Sequence, residues 1–182
     1  AVRANALKLG LQEQGLDVPW LEGGNPQDLG QSGRLPALTA AALGIGGEAI
    51  AIDAPCASSL YAVELACRQL RSGALDAAVA MGINRADSSY LFIGFSQLHA
   101  LSTRGLPQPL SAEADGLVVG EGAAAVTLKR VDDALRDGDT IHGLIRGGSL
   151  GNDGRSGNLL APNTEGQLRC LRQAYARTDL SV

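Results

Sequence analysis

Cys56 is the residue of this chain best placed to act as a nucleophile, because an apolar run delivers it to the first turn of a predicted helix. Residues 49–52, Ala-Ile-Ala-Ile, are uniformly apolar and read as a strand buried on both faces, which Asp53 and Pro55 then stop. Pro55 suits a helix start, where its missing N–H removes no intrahelical bond. The unpaired N–H groups and dipole of a helix N-terminus favour thiolate over thiol, and the thiolate is the form that attacks carbonyls. Beyond Cys56, Leu60, Val63, Cys67 and Leu70 recur at steps of three and four, while Glu64, Arg68 and Arg71 share the other side. This spacing predicts an amphipathic helix with Cys56 at its buried start. The pattern also admits a structural cysteine, since free cysteine is among the most buried residue types. A nucleophile elbow of the hydrolase kind fits less well, because the places two before and two after Cys56 hold Ala54 and Ser58 where glycine is usual.

The elements around this junction alternate in the manner of a layered α/β domain. Helical spacing is expected over residues 2–14, a polar loop over 22–33 and a short helix over 35–43. After the Cys56 helix come a strand over 77–82 and an irregular stretch over 84–112, which carries Phe92, Phe95 and His99 and reads as a pocket-lining insertion. A strand over 123–128, a short helix over 131–137, a strand over 142–147 and a last helix over 165–177 complete the reading. Gly120-Glu121-Gly122-Ala123-Ala124-Ala125 fits a dinucleotide-binding fingerprint, but Val126, Thr127 and Leu128 follow it with β-favouring residues where a helix is required. His142 reads as a solvated strand-end residue, and His99 falls in the insertion.

Asp53-Ala54-Pro55-Cys56-Ala57-Ser58-Ser59-Leu60 resembles the active-site signature of the β-ketoacyl synthases, the condensing enzymes of fatty-acid and polyketide assembly lines. The resemblance continues in family order. It runs through Ala100-Leu101-Ser102, Ala114-Asp115-Gly116-Leu117-Val118-Val119-Gly120-Glu121-Gly122, Leu128-Lys129-Arg130 and Asp137-Gly138-Asp139-Thr140-Ile141-His142. Asn152-Asp153-Gly154-Arg155-Ser156 and Ala161-Pro162-Asn163 extend it, so that it covers residue 34 to the C-terminus. It points toward the iterative type I polyketide or polyunsaturated-fatty-acid branch. The resemblance implies a thiolase-like α-β-α-β-α fold, of which residues 1–182 hold most of the N-terminal half. The two catalytic histidines of the family, a lysine and a glycine-phenylalanine turn belong to a C-terminal half that this sequence does not contain, so this portion alone is expected to be inactive.

By the same resemblance, Cys56 takes an acyl group from a phosphopantetheine thioester on an acyl carrier protein, and its backbone N–H serves as one oxyanion donor. Decarboxylation of a malonyl-type extender then supplies the enolate that attacks the acyl-cysteine, giving a β-ketoacyl thioester. The reaction needs no bound cofactor and no metal; the phosphopantetheine arrives on the carrier protein. Phe95 and Leu117 resemble residues lining the acyl pocket, with core packing as the alternative for each. Asp115 and Glu121 read as structural charges, and Pro55 departs from the small residue usual before the cysteine. A homodimer is implied, joined through the strand at 49–52. The alternatives are a degradative thiolase-type acyltransferase and a non-catalytic chain-length or scaffold partner; retention of Cys56 counts against the second.

Composition excludes other classes. The chain of 182 residues is 45% hydrophobic and 19% charged, within the globular range. A net charge of −4 and only two Phe, three Tyr and one Trp argue against a nucleic-acid surface. No apolar run approaches the ~18 residues of a membrane span. Cys56, Cys67 and Cys170 have neither CxxC spacing nor an even count, so metal and disulfide readings both fail. With no initiating Met and no signal pattern, the sequence reads as part of a longer cytoplasmic polypeptide.

Overall fold

The structure, a computed structural model, describes residues 33–86, 89–154 and 161–180. The expected helix over 2–14, most of the loop over 22–33, and Arg155 and Ser156 lie outside the described residues. The chain divides into two compact units, Ala1–Asp53 and Ala54–Val182.

In the first unit, α1 spans Arg34–Leu43, in agreement with the sequence expectation. Its alanines favour the helix, and Gly44 ends it in the left-handed conformation at φ 64°, its N–H donating to Ala41 O and that of Ile45 to Ala40 O. Residues 49–52 do not form the buried strand that their composition predicts; no ladder joins them among the described residues, and Ile50 is 57% exposed. An apolar run specifies a preference for burial, whereas a strand also requires a hydrogen-bonded neighbour.

The second unit opens with a 3-10 turn, Pro55–Ala57, that runs directly into α2, Ser58–Arg71. Strand β1, Ala77–Asn84, follows and pairs antiparallel with β2, Gly122–Lys129, in a register running from Ala77 opposite Lys129 to Asn84 opposite Gly122. Helix α3, Ser89–Gln97, lies between them in sequence, where an irregular stretch was expected. Its run of Tyr, Leu, Phe, Ile and Phe has no polar face to announce a helical period. Helix α4, Val131–Asp137, begins with Asp132 and Asp133 and ends with Arg136, each favourable to the helix dipole. Helix α5, Thr164–Tyr175, is capped by the Asn163 side chain, which accepts from Gly166 N at 3.2 Å. The strand expected over 142–147 is absent; Gly147 instead packs so closely on Ala174 and Thr178 that a Cβ there would meet Thr178 Cγ2 at 2.5 Å.

Helix α2 packs on β1, and the core forms at this contact. Cys67 and Leu70 of α2, Ala80 of β1 and Ala134 of α4 are buried. Full burial of a leucine such as Leu70 contributes roughly 1.5–3 kcal/mol. The opposite face of the sheet, with Val79 and Ile83, is exposed.

Arg130 ties these pieces together. It donates to the carbonyls of Leu70 and Leu75 and pairs with Asp76 and Asp133, so the end of α2, the turn before β1 and the start of α4 share one guanidinium.

The amphipathic reading of α2 is corrected at two positions. Leu60, expected to face the core, is 69% exposed, whereas Glu64, expected to face solvent, is 5% exposed. Its carboxylate accepts from Arg68 Nε at 2.9 Å and lies 3.5 Å from Arg71 and 3.4 Å from Arg177. A buried carboxylate persists only when paired in this manner.

Candidate active site

The 3-10 turn presents Cys56 one residue into the helical entry, with Pro55 at its first position. Ala57 N donates to Ala54 O at 2.9 Å, and Ser58 N donates to Pro55 O. The Cys56 N–H therefore lies ahead of the ladder, among the donors that a helix start leaves for a ligand. Cys56 is exposed, not buried as its position on the helical pattern suggested. The Ser58 hydroxyl closes the turn twice: it accepts from Ala54 N at 2.9 Å and donates to Pro55 O at 2.8 Å.

Strand β1 supports this entry. Gly82 faces Ser59 so closely that a Cβ at position 82 would lie 2.8 Å from Ser59 Cβ. Close approach of a neighbouring element is a reason for glycine within a strand. The first turn of α2 is thus seated directly on the sheet.

The other two cysteines differ from Cys56. Cys67 is buried, and desolvation pushes its thiol pKa up; Arg71 acts against this shift and Glu64 with it. Cys170 is half-buried in α5, with its sulfur 3.5 Å from Ser149 O.

Phe95 and Leu117 come together through one residue. Ala100 N donates to Phe95 O at 3.0 Å, and Leu117 N donates to Ala100 O at 2.8 Å. Ser102 N returns a bond to Leu117 O at 2.9 Å, so Leu101 and Leu117 form a short parallel bridge. Phe95 is half-buried near the end of α3, and Leu117 is 39% exposed. No hydrogen bond among the described residues joins either to Cys56.

Asp115 fixes the segment that bears Leu117. It accepts from Ser102 Oγ at 2.6 Å, Thr103 Oγ1 at 2.8 Å and Thr103 N at 3.1 Å, and lies 3.5 Å from Arg104 Nε. The hydroxyls of Ser102 and Thr103, together with Arg104, hold its carboxyl well below the usual carboxylate range. Gly116, at φ 149°, crosses so close to this loop that a Cβ would lie 2.5 Å from the Leu101 carbonyl carbon. The geometry agrees with the reading of Asp115 as a structural charge; Glu121 is exposed.

His99 and His142 are both exposed, and His99 sits at φ 50° in the turn after α3. The glycine-rich stretch at 120–125 runs into β2 and not into a helix, as the sequence indicated. Asp153 and Asn163, from two separate motifs, meet at the start of α5: Asn163 N donates to Asp153 Oδ2 at 3.2 Å. Sequence reasoning missed the Ser58 hydroxyl and the carboxylate of Glu64.

Comparison with known proteins identifies the family. Residues 21–134 match the family described as Beta-ketoacyl synthase, N-terminal domain. The chain is 45% identical over 139 residues to a PKS-NRPS hybrid synthetase of Aspergillus niger, covering 76% of this chain and 8% of that protein. It is 44% identical over 138 residues to a phenolphthiocerol/phthiocerol polyketide synthase of Mycobacterium tuberculosis, covering 76% of this chain and 7% of that one. Among solved structures, the ketosynthase from module 6 of the bacillaene synthase of Bacillus subtilis superposes with a TM-score of 0.78 at 31% identity, over 82% of this chain and 27% of that one. A structure described as PfaC Keto synthase-Chain length factor gives a TM-score of 0.75 at 43% identity, over 80% and 16%.

The chain belongs to the β-ketoacyl synthase family, and its fold is that of the thiolase-like ketosynthases. Within that family it groups with the ketosynthase domains of type I polyketide and polyunsaturated-fatty-acid synthases. It spans only a small part of the curated relatives it matches.

Proposed function

We propose that the chain is the cysteine-bearing N-terminal portion of a ketosynthase domain, and that Cys56 carries the growing acyl group. The observation that supports this reading is an exposed Cys56 in the first turn of α2, inside the segment that matches the family. In the first half-reaction the Cys56 thiolate attacks the carbonyl of an acyl thioester on an acyl carrier protein. The carrier's phosphopantetheine thiol leaves, and the acyl group stays on the Cys56 sulfur. The developing oxyanion is met by the Cys56 N–H, with a second donor supplied by the C-terminal half of the domain. In the second half-reaction a malonyl-type extender loses CO₂. The electron pair released forms an enolate, which makes a carbon–carbon bond to the acyl carbonyl and expels Cys56 as thiolate. Phe95 and Leu117, joined through Ala100, line the acyl pocket.

The working partner is a second copy of the domain. Residues 49–52 have no ladder among the described residues, and an apolar run of this kind is stabilised by pairing with its own copy across a two-fold axis. The domain works in the cytoplasm, where its three cysteines remain free thiols.

The test uses the complete ketosynthase domain with malonyl and acyl carrier proteins, read by intact mass. A β-ketoacyl carrier protein with loss of CO₂ is the expected product. Cleavage of a β-ketoacyl thioester by free thiol, with no decarboxylative condensation, would assign a degradative thiolase instead.

A further inference from the structure

We propose that Ser58 is a positioning residue for the acyl-transfer step, acting through the peptide unit between Pro55 and Cys56; this rests on the reading of Cys56 as the acyl carrier. The Ser58 hydroxyl accepts from Ala54 N at 2.9 Å and donates to Pro55 O at 2.8 Å, and its own backbone N–H also donates to Pro55 O. The peptide bond is planar and trans, so its C=O and N–H point in opposite directions. Two donors on the Pro55 carbonyl therefore fix the direction of the N–H on the other side of the same plane, which belongs to Cys56. That N–H is the one the oxyanion of the tetrahedral intermediate would meet.

Two features make Ser58 the latch. Pro55 has no N–H, so the Ala54–Pro55 junction cannot be closed by a backbone donor from residue 55. The bond from Ala54 N to Ser58 Oγ closes it from the side chain. On the far side, Ser59 rests on β1 at Gly82, which anchors the helix end of the turn. Ser58 thus spans the loop-side residue and the peptide that bears the oxyanion donor. An oxyanion donor stabilises charge only when it is held in place before the reaction, and removal of one costs roughly 10²–10³ in rate.

The proposal separates two reactions of the same sulfur. Acylation by a thioester passes through an oxyanion; alkylation by iodoacetamide is a displacement at carbon and does not. Ser58→Ala and Ser58→Thr are made in the complete ketosynthase domain, and both reactions at Cys56 are timed by peptide mapping. Ser58→Ala is expected to slow acylation from an acyl carrier thioester roughly 10- to 100-fold, part of the full loss of a donor, while alkylation stays within about twofold. Ser58→Thr, which keeps the hydroxyl, is expected to restore acylation to within a few-fold of wild type. Unchanged acylation in Ser58→Ala would overturn the proposal. So would an equal fall in both reactions, failure of Ser58→Ala to fold, or a Ser58→Thr variant as slow as Ser58→Ala. A wild-type domain that alkylates at Cys56 but never acylates there would instead refute the assignment of Cys56 as acyl carrier.

Discussion

Gly148→Ala is expected to destabilise the domain through Glu64, and to do so only while Glu64 is present. A Cβ at position 148 would lie 2.5 Å from Glu64 Oε2 and 3.3 Å from its carboxyl carbon. A flexible side chain would ordinarily move aside. Here Glu64 Oε1 is held by Arg68 at 2.9 Å, with Arg71 and Arg177 at 3.5 and 3.4 Å, and the side chain is only 6% exposed. Displacing the carboxylate breaks a charge-assisted bond worth about 1.5–3 kcal/mol in a place that water does not reach. The arginine side chains are 45 to 50% exposed and regain hydration, so the longer pairs add little, about 0.5 kcal/mol each. Position 148 is not in the left-handed region, and alanine there recovers ~0.4–1 kcal/mol from the unfolded chain. The net cost is about 2 kcal/mol. In a Glu64→Ala background the obstruction is gone, and Gly148→Ala becomes neutral or slightly stabilising. Urea unfolding of the four domains in the double-mutant cycle reads the coupling directly, expected at about 1.5 kcal/mol or more. Additive effects within ~0.5 kcal/mol would refute the account of Glu64 as a pinned, buried carboxylate.

Iodoacetamide at neutral pH should label Cys56 first and Cys67 last, because Cys56 is exposed while burial raises the Cys67 pKa; faster labelling of Cys170 in peptide maps would count against the nucleophile assignment. Leu117→Phe should depress loading of long acyl chains and spare acetyl, since a few methylenes at ~0.8 kcal/mol each change the preference by roughly one to two orders of magnitude. Identical chain-length profiles for the two proteins would return Leu117 to ordinary packing. The folded-state pKa of Asp115 is depressed by Ser102, Thr103 and Arg104, so its stabilising contribution is intact above the unfolded value of ~3.9 and is lost as pH falls through the folded value. The stability gap between wild type and Asp115→Asn should therefore be constant near neutrality and shrink on acidification below about pH 4; a gap that widens there would reverse the sign of this linkage.

What the sequence revealed follows from what each signal measures. Period and end signals placed α4 at Val131–Asp137 and put α2 and β2 close to their observed bounds, because caps, proline and apolar spacing are local properties. Residues 49–52 show the limit, since their composition expresses a preference for burial and says nothing of a partner strand. Helix α3 was hidden because SYLFIGFSQ is apolar almost throughout and includes Gly94, leaving no face to detect. Glu64 was placed on the wrong side because its three arginine partners include Arg177, 113 residues away, which no local pattern connects to it. At the site, Cys56 and its motif were legible as residue types in order. The Ser58 hydroxyl and the seat of Ser59 on Gly82 depend on atomic approach, which sequence spacing does not encode.

Whether Cys56 carries the acyl group is decided by mapping where an acyl mass lands. The complete ketosynthase domain is incubated with an acyl carrier thioester, quenched, digested and mapped for the added acyl mass. Stoichiometric acylation is expected on the peptide containing Cys56, and its disappearance together with condensation in Cys56→Ala. Acyl mass on Cys170, or condensation that survives Cys56→Ala, would contradict the assignment.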